Sequence, residues 1–287
     1  MKEAVVASKI KIRNVGSRKM ANCTHNCNTC KEKCKEIDFF ELHTGSKIKN
    51  IIGVTSGKGG VGKSLVTSLI ASKMHKLGYK VGILDADITG PSIPKAFGLH
   101  EMAVGDNDGI YPSVTKDGIK IMSVNLLVDD PSKPVVFRGP ALAGLIKQFY
   151  CDVLWGELDY LFIDMPPGTG DVALTVFQQI PIDGIITVST PQDLVKLMVR
   201  KSLHMAQLLN VKVLGIVENM SYVKCPCCGE RIELFGKSDV YNVAKEFSLP
   251  VLATLPIDPK LRAAIDEGNI YNFSSYELDD LVLALQK

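Results

Sequence analysis

The chain has 287 residues, 46% of them apolar and 22% charged, with a formal net charge of +2. That length holds one large α/β domain plus an appendage. No apolar run reaches the roughly 18 residues of a membrane span, the N-terminal MKEAVVASKIKIRNVG lacks the apolar core of an export signal, and the charge is too small to argue for nucleic acid.

A cytoplasmic protein with neither a nucleic-acid nor a membrane partner is therefore expected. In that compartment eight cysteines read as metal or redox ligands more readily than as disulfides.

Taken in chain order, residues 1–46 form a cysteine-bearing extension and 47–287 the main domain. Residues 1–49 carry 11 Lys and Arg against 5 Asp and Glu, a balance of +6 that leaves −4 for the remainder. A basic setting favours thiolate over thiol, although a solvated basic tail has the same charge pattern. Cys23, Cys27, Cys30 and Cys34 form CxxxCxxCxxxC with His25 inside it, nearer to a ferredoxin-type run than to a zinc ribbon. The same steps would also stripe one face of a helix, spreading the outer two over about 16 Å. A shared metal centre therefore requires irregular backbone. Asn22, Thr24, Asn26, Asn28 and Thr29 push that way, while KEKCKEIDFFEL favours helix, and both readings stay open.

From Asn50 onward, short apolar runs alternate with longer helix-like segments, the pattern of βαβ units. Strands are predicted at 51–55, 80–84, 160–163, 184–189, 213–217 and 251–254. Helices are predicted at 63–77, 141–151, 172–179, 193–209, 238–247 and 259–267. The fold class is α/β, a doubly wound and mostly parallel sheet whose strand ends carry the phosphate-binding loops. Residues 105–125 read as an inserted β-hairpin. The last segment, SSYELDDLVLALQK, has helical spacing at Leu278, Leu281, Val282 and Leu285, with Ser274 or Ser275 as N-cap. Its polar face is acidic, so it packs on the domain rather than on a membrane surface.

The strongest local signal is GKGGVGKS, directly after a predicted strand and before a predicted helix. Gly57, Gly62, Lys63 and Ser64 match GxxxxGK[ST], in which backbone N–H groups face phosphates, the lysine neutralises β/γ charge and the hydroxyl reaches Mg²⁺. Gly57, Lys58, Gly59, Gly60, Val61, Gly62, Lys63, Ser64 and Leu65 are thus the candidate ATP-binding residues. Lys58 is an additional lysine at the start of the loop, placed to reach the transferring phosphoryl group of a facing subunit. Asp85 and Asp87 end the second strand, and Asp164 follows the apolar run YLFI. Those carboxylates are placed to hold Mg²⁺ or to orient the attacking water. Gly168 is expected to bring its N–H to the γ-phosphate, Asp171 to cap the next helix, and Asn219 to offer its amide to adenine or to form a turn.

Cys225 and Cys228 lie three residues apart with Cys227 between them. Two thiolates fill half of a four-sulfur site, and a two-fold dimer supplies the other half at its axis. The chain reads as a nucleotide-driven homodimer holding a metal–sulfur group between subunits, and four thiolates suit iron and zinc alike. Cys151 stands alone in an apolar stretch and reads as a small core residue.

Those residues carry a resemblance. KGGVGKS with its extra lysine resembles the deviant Walker A group of dimeric P-loop ATPases. DADITGPSIP, RGPALAGLIKQF, LDYLFIDMPPGTGDVALT, STPQDL, GIVENMSYVKCPCCGE and LPID are similar to the Mrp/ApbC iron–sulfur carriers within it. The resemblance covers residues 48 to about 269. It implies slow ATP hydrolysis with Mg²⁺, a homodimer, and a [4Fe-4S] cluster bridged by Cys225 and Cys228 of both subunits for delivery to apoproteins. On that basis Lys58 is the signature lysine; Lys63 and Ser64 are the phosphate and metal ligands; Asp87 orients the attacking water; and Asn219 contacts adenine. Met198 and the pair Ser238–Asp239 depart from the family pattern and are expected to leave the nucleotide site untouched. The rival readings are a positioning or partition ATPase, an electron-transfer reductase like nitrogenase iron protein, and a zinc-binding P-loop ATPase.

Overall fold

The structure is a computed structural model that describes residues 17–18, 37–88, 90, 92–127 and 139–286. Cys23, Cys27, Cys30 and Cys34, and the two readings of their segment, lie outside the described residues. A two-residue ladder, β1 (Ser17–Arg18) against β2 (Ile37–Asp38), precedes the domain.

The domain then alternates β3 (Lys47–Ser56), α1 (Lys63–Lys76), β4 (Val81–Asp85), α2 (Ile93–Ala96), β5 (Ser113–Val114), β6 (Lys120–Met122), α3 (Gly139–Cys151) and β7 (Glu157–Asp164). It continues through α4 (Asp171–Gln179), β8 (Gly184–Ser189), α5 (Asp193–Leu208), β9 (Val213–Lys224), β10 (Arg231–Ile232), α6 (Val240–Glu246), β11 (Val251–Pro256), α7 (Pro259–Asp266) and α8 (Asp279–Leu285).

Nine strands form one sheet in the order β10-β9-β8-β3-β7-β4-β6-β5, with β11 also paired to β9. All pairings are parallel except β5 with β6 and β10 with β9. Residues 51–56, all of β4 and all of β8 are buried, as expected of strands covered on both faces. One core packs α1, α6, α7 and α8 on the sheet through Val66, Ile70, Val243, Leu261 and Leu281. The other packs α3 and α4 through Ile146, Phe149, Trp155, Val176 and Phe177. Helices on both faces make the sheet doubly wound, as predicted.

Helix α1 buries most of its circumference, including Thr67, Ser68 and Ser72. The hydroxyls of Thr67 and Ser68 lie within hydrogen-bond distance of the carbonyls of Lys63 (3.0 Å) and Ser64 (2.8 Å), which satisfies these two inside the helix, whereas Ser72 Oγ has no partner among the described residues. Burying Ile70 and Met74 fully is worth about 1.5–3 kcal/mol each.

Three elements differ from expectation. The 105–125 hairpin is shorter, and its second strand joins the main sheet by pairing parallel to β4. β9 runs seven residues past the predicted Val217, to Lys224, because β10 and β11 both pair along that extension. The last helix begins at Asp279 after a 3-10 turn at Tyr276–Leu278, although Leu278, Leu281 and Val282 are buried as the spacing requires. Among the described residues no helix is long and apolar enough to cross a membrane.

Candidate functional site

The central strand β3 ends at Ser56, whose hydroxyl donates to the Lys58 carbonyl at 3.0 Å and tightens the first turn of the loop. Gly60 (φ 80°) and Gly62 (φ 82°) occupy the left-handed region, which glycine enters without a Cβ clash. Gly62 caps α1 without any side-chain acceptor, so the first N–H groups of the helix face the loop as an anion-binding end.

A Cβ on Gly62 would lie 2.2 Å from Nδ2 of Asn219. Gly62→Ala is therefore expected to weaken ADP binding about tenfold and to lower the melting temperature, as measured by calorimetry.

Lys63 is buried, with Nζ 2.7 Å from Oδ1 of Asp164 and 3.4 Å from Oδ2 of Asp87. Ser64 Oγ donates to Oδ2 of Asp164 at 2.5 Å, and Thr67 Oγ1 donates to its Oδ1 at 3.0 Å. With three donors converging, Asp164 stands where a phosphate-bound Mg²⁺ would draw on it and on Ser64. Burial pushes its carboxyl above the usual range, opposed by Lys63, Ser64 and Thr67. Ser64 and Asp164 are adjacent hard oxygen donors and fit magnesium.

Asp85, also expected to hold Mg²⁺, fits less well. It lies opposite Asp164 across β4 and β7, fully buried, accepting from Ser123 Oγ (3.0 Å) and the Asp87 N–H (3.2 Å). Burial, and next the charge of Asp164, push its carboxyl up to about 8. Without magnesium it serves as a structural carboxyl, held by these two donors beside Asp164.

A carboxyl raised on folding binds its proton more tightly in the native state. Its stabilising contribution is complete below the ordinary value of 3.8 and is lost as pH rises toward about 8. The magnesium-free protein should thus melt at lower temperature at pH 8 than at pH 5.5, and Asp85→Asn should flatten that dependence in thermal scans.

Two further loop expectations are corrected. The Gly168 N–H donates to the Ser56 carbonyl at 2.9 Å, so in this conformation it closes the end of β3 instead of facing the γ-phosphate position. Asp171 is the first residue of α4, and Gly170 is the N-cap. Lys58 is exposed, with no ion pair among the described residues.

Asn219 is buried, and its Nδ2 donates to the Val61 carbonyl at 3.0 Å, so its amide braces the phosphate loop. Met198 also touches the site: a Cβ on Gly57 would come within 2.4 Å of its carbonyl carbon. Ser238 donates to Glu218, the neighbour of Asn219. Met198 thus abuts the nucleotide loop, whereas Ser238 reaches Asn219 only by way of Glu218. Thr67, Ser123 and Glu218 were not found from sequence, because tertiary pairing alone makes them partners of the site.

Cys225, Cys227 and Cys228 form the tip of the β9–β10 hairpin. The Cys225 N–H donates to the Glu230 carbonyl and the Gly229 N–H to the Cys225 carbonyl, both at 2.9 Å, with Gly229 left-handed at φ 75°. The backbone N–H groups of Cys228 and Cys227 point at the Cys225 sulfur and hold its thiol below the usual range. Cys225 is half-buried; Cys227 and Cys228 are exposed. Soft thiols on a turn whose N–H groups favour thiolate fit half of a metal–sulfur site. Among the described residues no three His, Cys, Asp or Glu side chains form a closed metal site. Cys151 sits apart, half-buried in α3, its thiol pushed up to about 11 chiefly by burial, as suits a packing residue.

A buried strand feeding a glycine loop and an open helix end, with lysine, serine and strand-end carboxylates converging, defines a P-loop nucleoside triphosphatase. The ParA-type family model described as NUBPL iron-transfer P-loop NTPase matches residues 47–283, and the chain belongs to that family.

It is 47% identical over 260 residues to an iron–sulfur cluster carrier protein of Methanocaldococcus jannaschii, covering 87% of this chain and 90% of the relative. It is 41% identical to the cytosolic Fe-S cluster assembly factor CFD1 of Kluyveromyces lactis, covering 80% of this chain and 84% of that one. Among solved structures, a nucleotide-binding protein of Archaeoglobus fulgidus in complex with ADP superposes with a TM-score of 0.72 at 44% identity, over 81% of this chain and 91% of the other. The MinD cell division protein of Aquifex aeolicus, at 21% identity and a TM-score of 0.58 over 83% of this chain and 96% of the other, shares the fold.

Proposed function

We propose that the chain is an ATP-dependent iron–sulfur carrier, a homodimer that holds a [4Fe-4S] cluster between Cys225 and Cys228 of both subunits and passes it to apoproteins. The observation that carries this reading is the cysteine turn. It exposes Cys228, favours thiolate at the half-buried Cys225, and grows from the strand that braces the phosphate loop. The names of the relatives point the same way. Work in the cytoplasm suits thiols that must stay reduced.

On this reading, Lys63 leaves Asp164 and Asp87 for the β/γ-phosphates when ATP enters. Ser64 and Asp164 would hold Mg²⁺, which would supply positive charge against that building on the phosphates. Asp87, at the mouth of the site beside Lys63, orients the attacking water, and Lys58 reaches the phosphates of the facing subunit. Asn219 keeps the loop in register and borders adenine. Hydrolysis is slow because it times the hold on the cargo.

Anaerobic reconstitution tests the reading. The expected results are about four irons per dimer at this turn and transfer of the cluster to an apo acceptor at a rate that ATP changes. Stable zinc without iron uptake would overturn it.

A further inference from the structure

We propose that a bulge in β9, Asn219–Ser221, is the joint through which the nucleotide loop repositions the cysteine turn, with Asn219 and Met220 as its positioning residues. The purpose of that movement, control of the cargo site, rests on the function proposed above.

Along β9, Glu218 pairs with Thr254 of β11 and Tyr222 with Pro256. Asn219, Met220 and Ser221 therefore stand opposite Leu255 alone, an excess that bends the strand and re-aims its side chains. Pairing with β8 stops at Glu218. Within the bulge Met220 has φ 57°, a left-handed conformation that residues with a side chain adopt rarely.

Both ends are fastened. Ser221 Oγ donates to Oε2 (2.8 Å) and the carbonyl (3.1 Å) of Glu218. Ser238 donates to the other carboxylate oxygen and accepts the Val240 N–H at 3.1 Å, which ties the bulge to α6.

On the opposite side Asn219 grips the Val61 carbonyl, with Gly62 packed directly against its amide. Phosphates that seat on the loop cannot reshape Val61–Gly62 without moving Asn219. Past the bulge the strand runs on through Tyr222, whose carbonyl accepts from Ile257 at 2.8 Å. Val223 and Lys224 then pair with β10, and Cys225 follows. No loop intervenes between the residue that touches the P-loop and the first cysteine. The segment containing Gly168 also contacts the end of β3 beside the P-loop, but it leads into α4. A left-handed residue that can relax toward extended backbone supplies the two arrangements that a ligand must distinguish to shift a population.

The test is hydrogen exchange by mass spectrometry on the full-length, cluster-free protein, with and without saturating MgADP. In the wild type, amide exchange across 225–229 should change about tenfold. Met220→Gly, which frees the joint, should reduce the change to under about twofold while ADP affinity and hydrolysis stay unaltered. Met220→Asn tolerates the left-handed region and should restore the response. Ser221→Ala, which unclasps the bulge, should lose it by an independent route. A wild-type turn indifferent to nucleotide, or Met220→Gly and Ser221→Ala responding as fully as wild type, would overturn the proposal. None of these readouts needs a cluster, so their failure leaves the carrier reading to be judged by iron content alone.

Discussion

Lys63→Ala will leave the protein unable to hold ADP or ATP and will cut phosphate release by about a hundredfold or more, since the site loses its central phosphate cation. The same change removes a buried charge from beside two carboxylates. Breaking such a pair costs about 3–5 kcal/mol when the partner stays ionised. Asp164 has an escape, because burial already favours its protonated form. The stability loss should therefore be smaller at pH 5.5 than at pH 8, the direction required of a carboxyl whose native proton affinity is raised. Calorimetric titration with MgADP and urea unfolding at the two pH values separate the binding loss from the folding loss. Retained ADP affinity would remove Lys63 from the site.

Replacing Cys225 and Cys228 together by alanine should abolish iron at the turn, from about four per dimer to none, and leave ADP affinity unchanged. The experiment is cleanest where Cys23, Cys27, Cys30 and Cys34 are serine, so that residues outside the described region cannot supply thiols. Cys227→Ala is the informative control. Cys227 shares the tip and donates its N–H toward Cys225, but two pairs already complete a four-sulfur site. Iron content per dimer should survive its loss. A fall equal to that of the double variant would mean a three-thiol site within one chain.

What sequence made legible was local. The P-loop could be read because its function depends on residues adjacent in the chain, and the cysteine motif because its residues share one short turn. Apolar runs located the parallel strands, all but the end of β9 to within a few residues, since a strand covered on both faces has no polar side to blur it.

The features that sequence left unread depend on distance or on backbone. Ser123 donates to Asp85 from 38 residues away because β6 lies beside β4. Asn219 reaches Val61 across 158 positions. Gly168 resembles a free donor until the carbonyl of Ser56 is seen to occupy it. Met220 gives no sign of its left-handed backbone, because the side chain usually associated with that region is absent.

The way Asp164 grips Lys63 and Ser64 has a consequence for what the pocket refuses. Before any ligand arrives, the cradle already contains a carboxyl of its own, tethered to Lys63, Ser64 and Thr67. A lone sulfate or inorganic phosphate offers too few contacts to evict it, whereas a nucleotide with its cation replaces every bond at once. The resting site should thus turn away small anions and open to a nucleotide that brings its own cation.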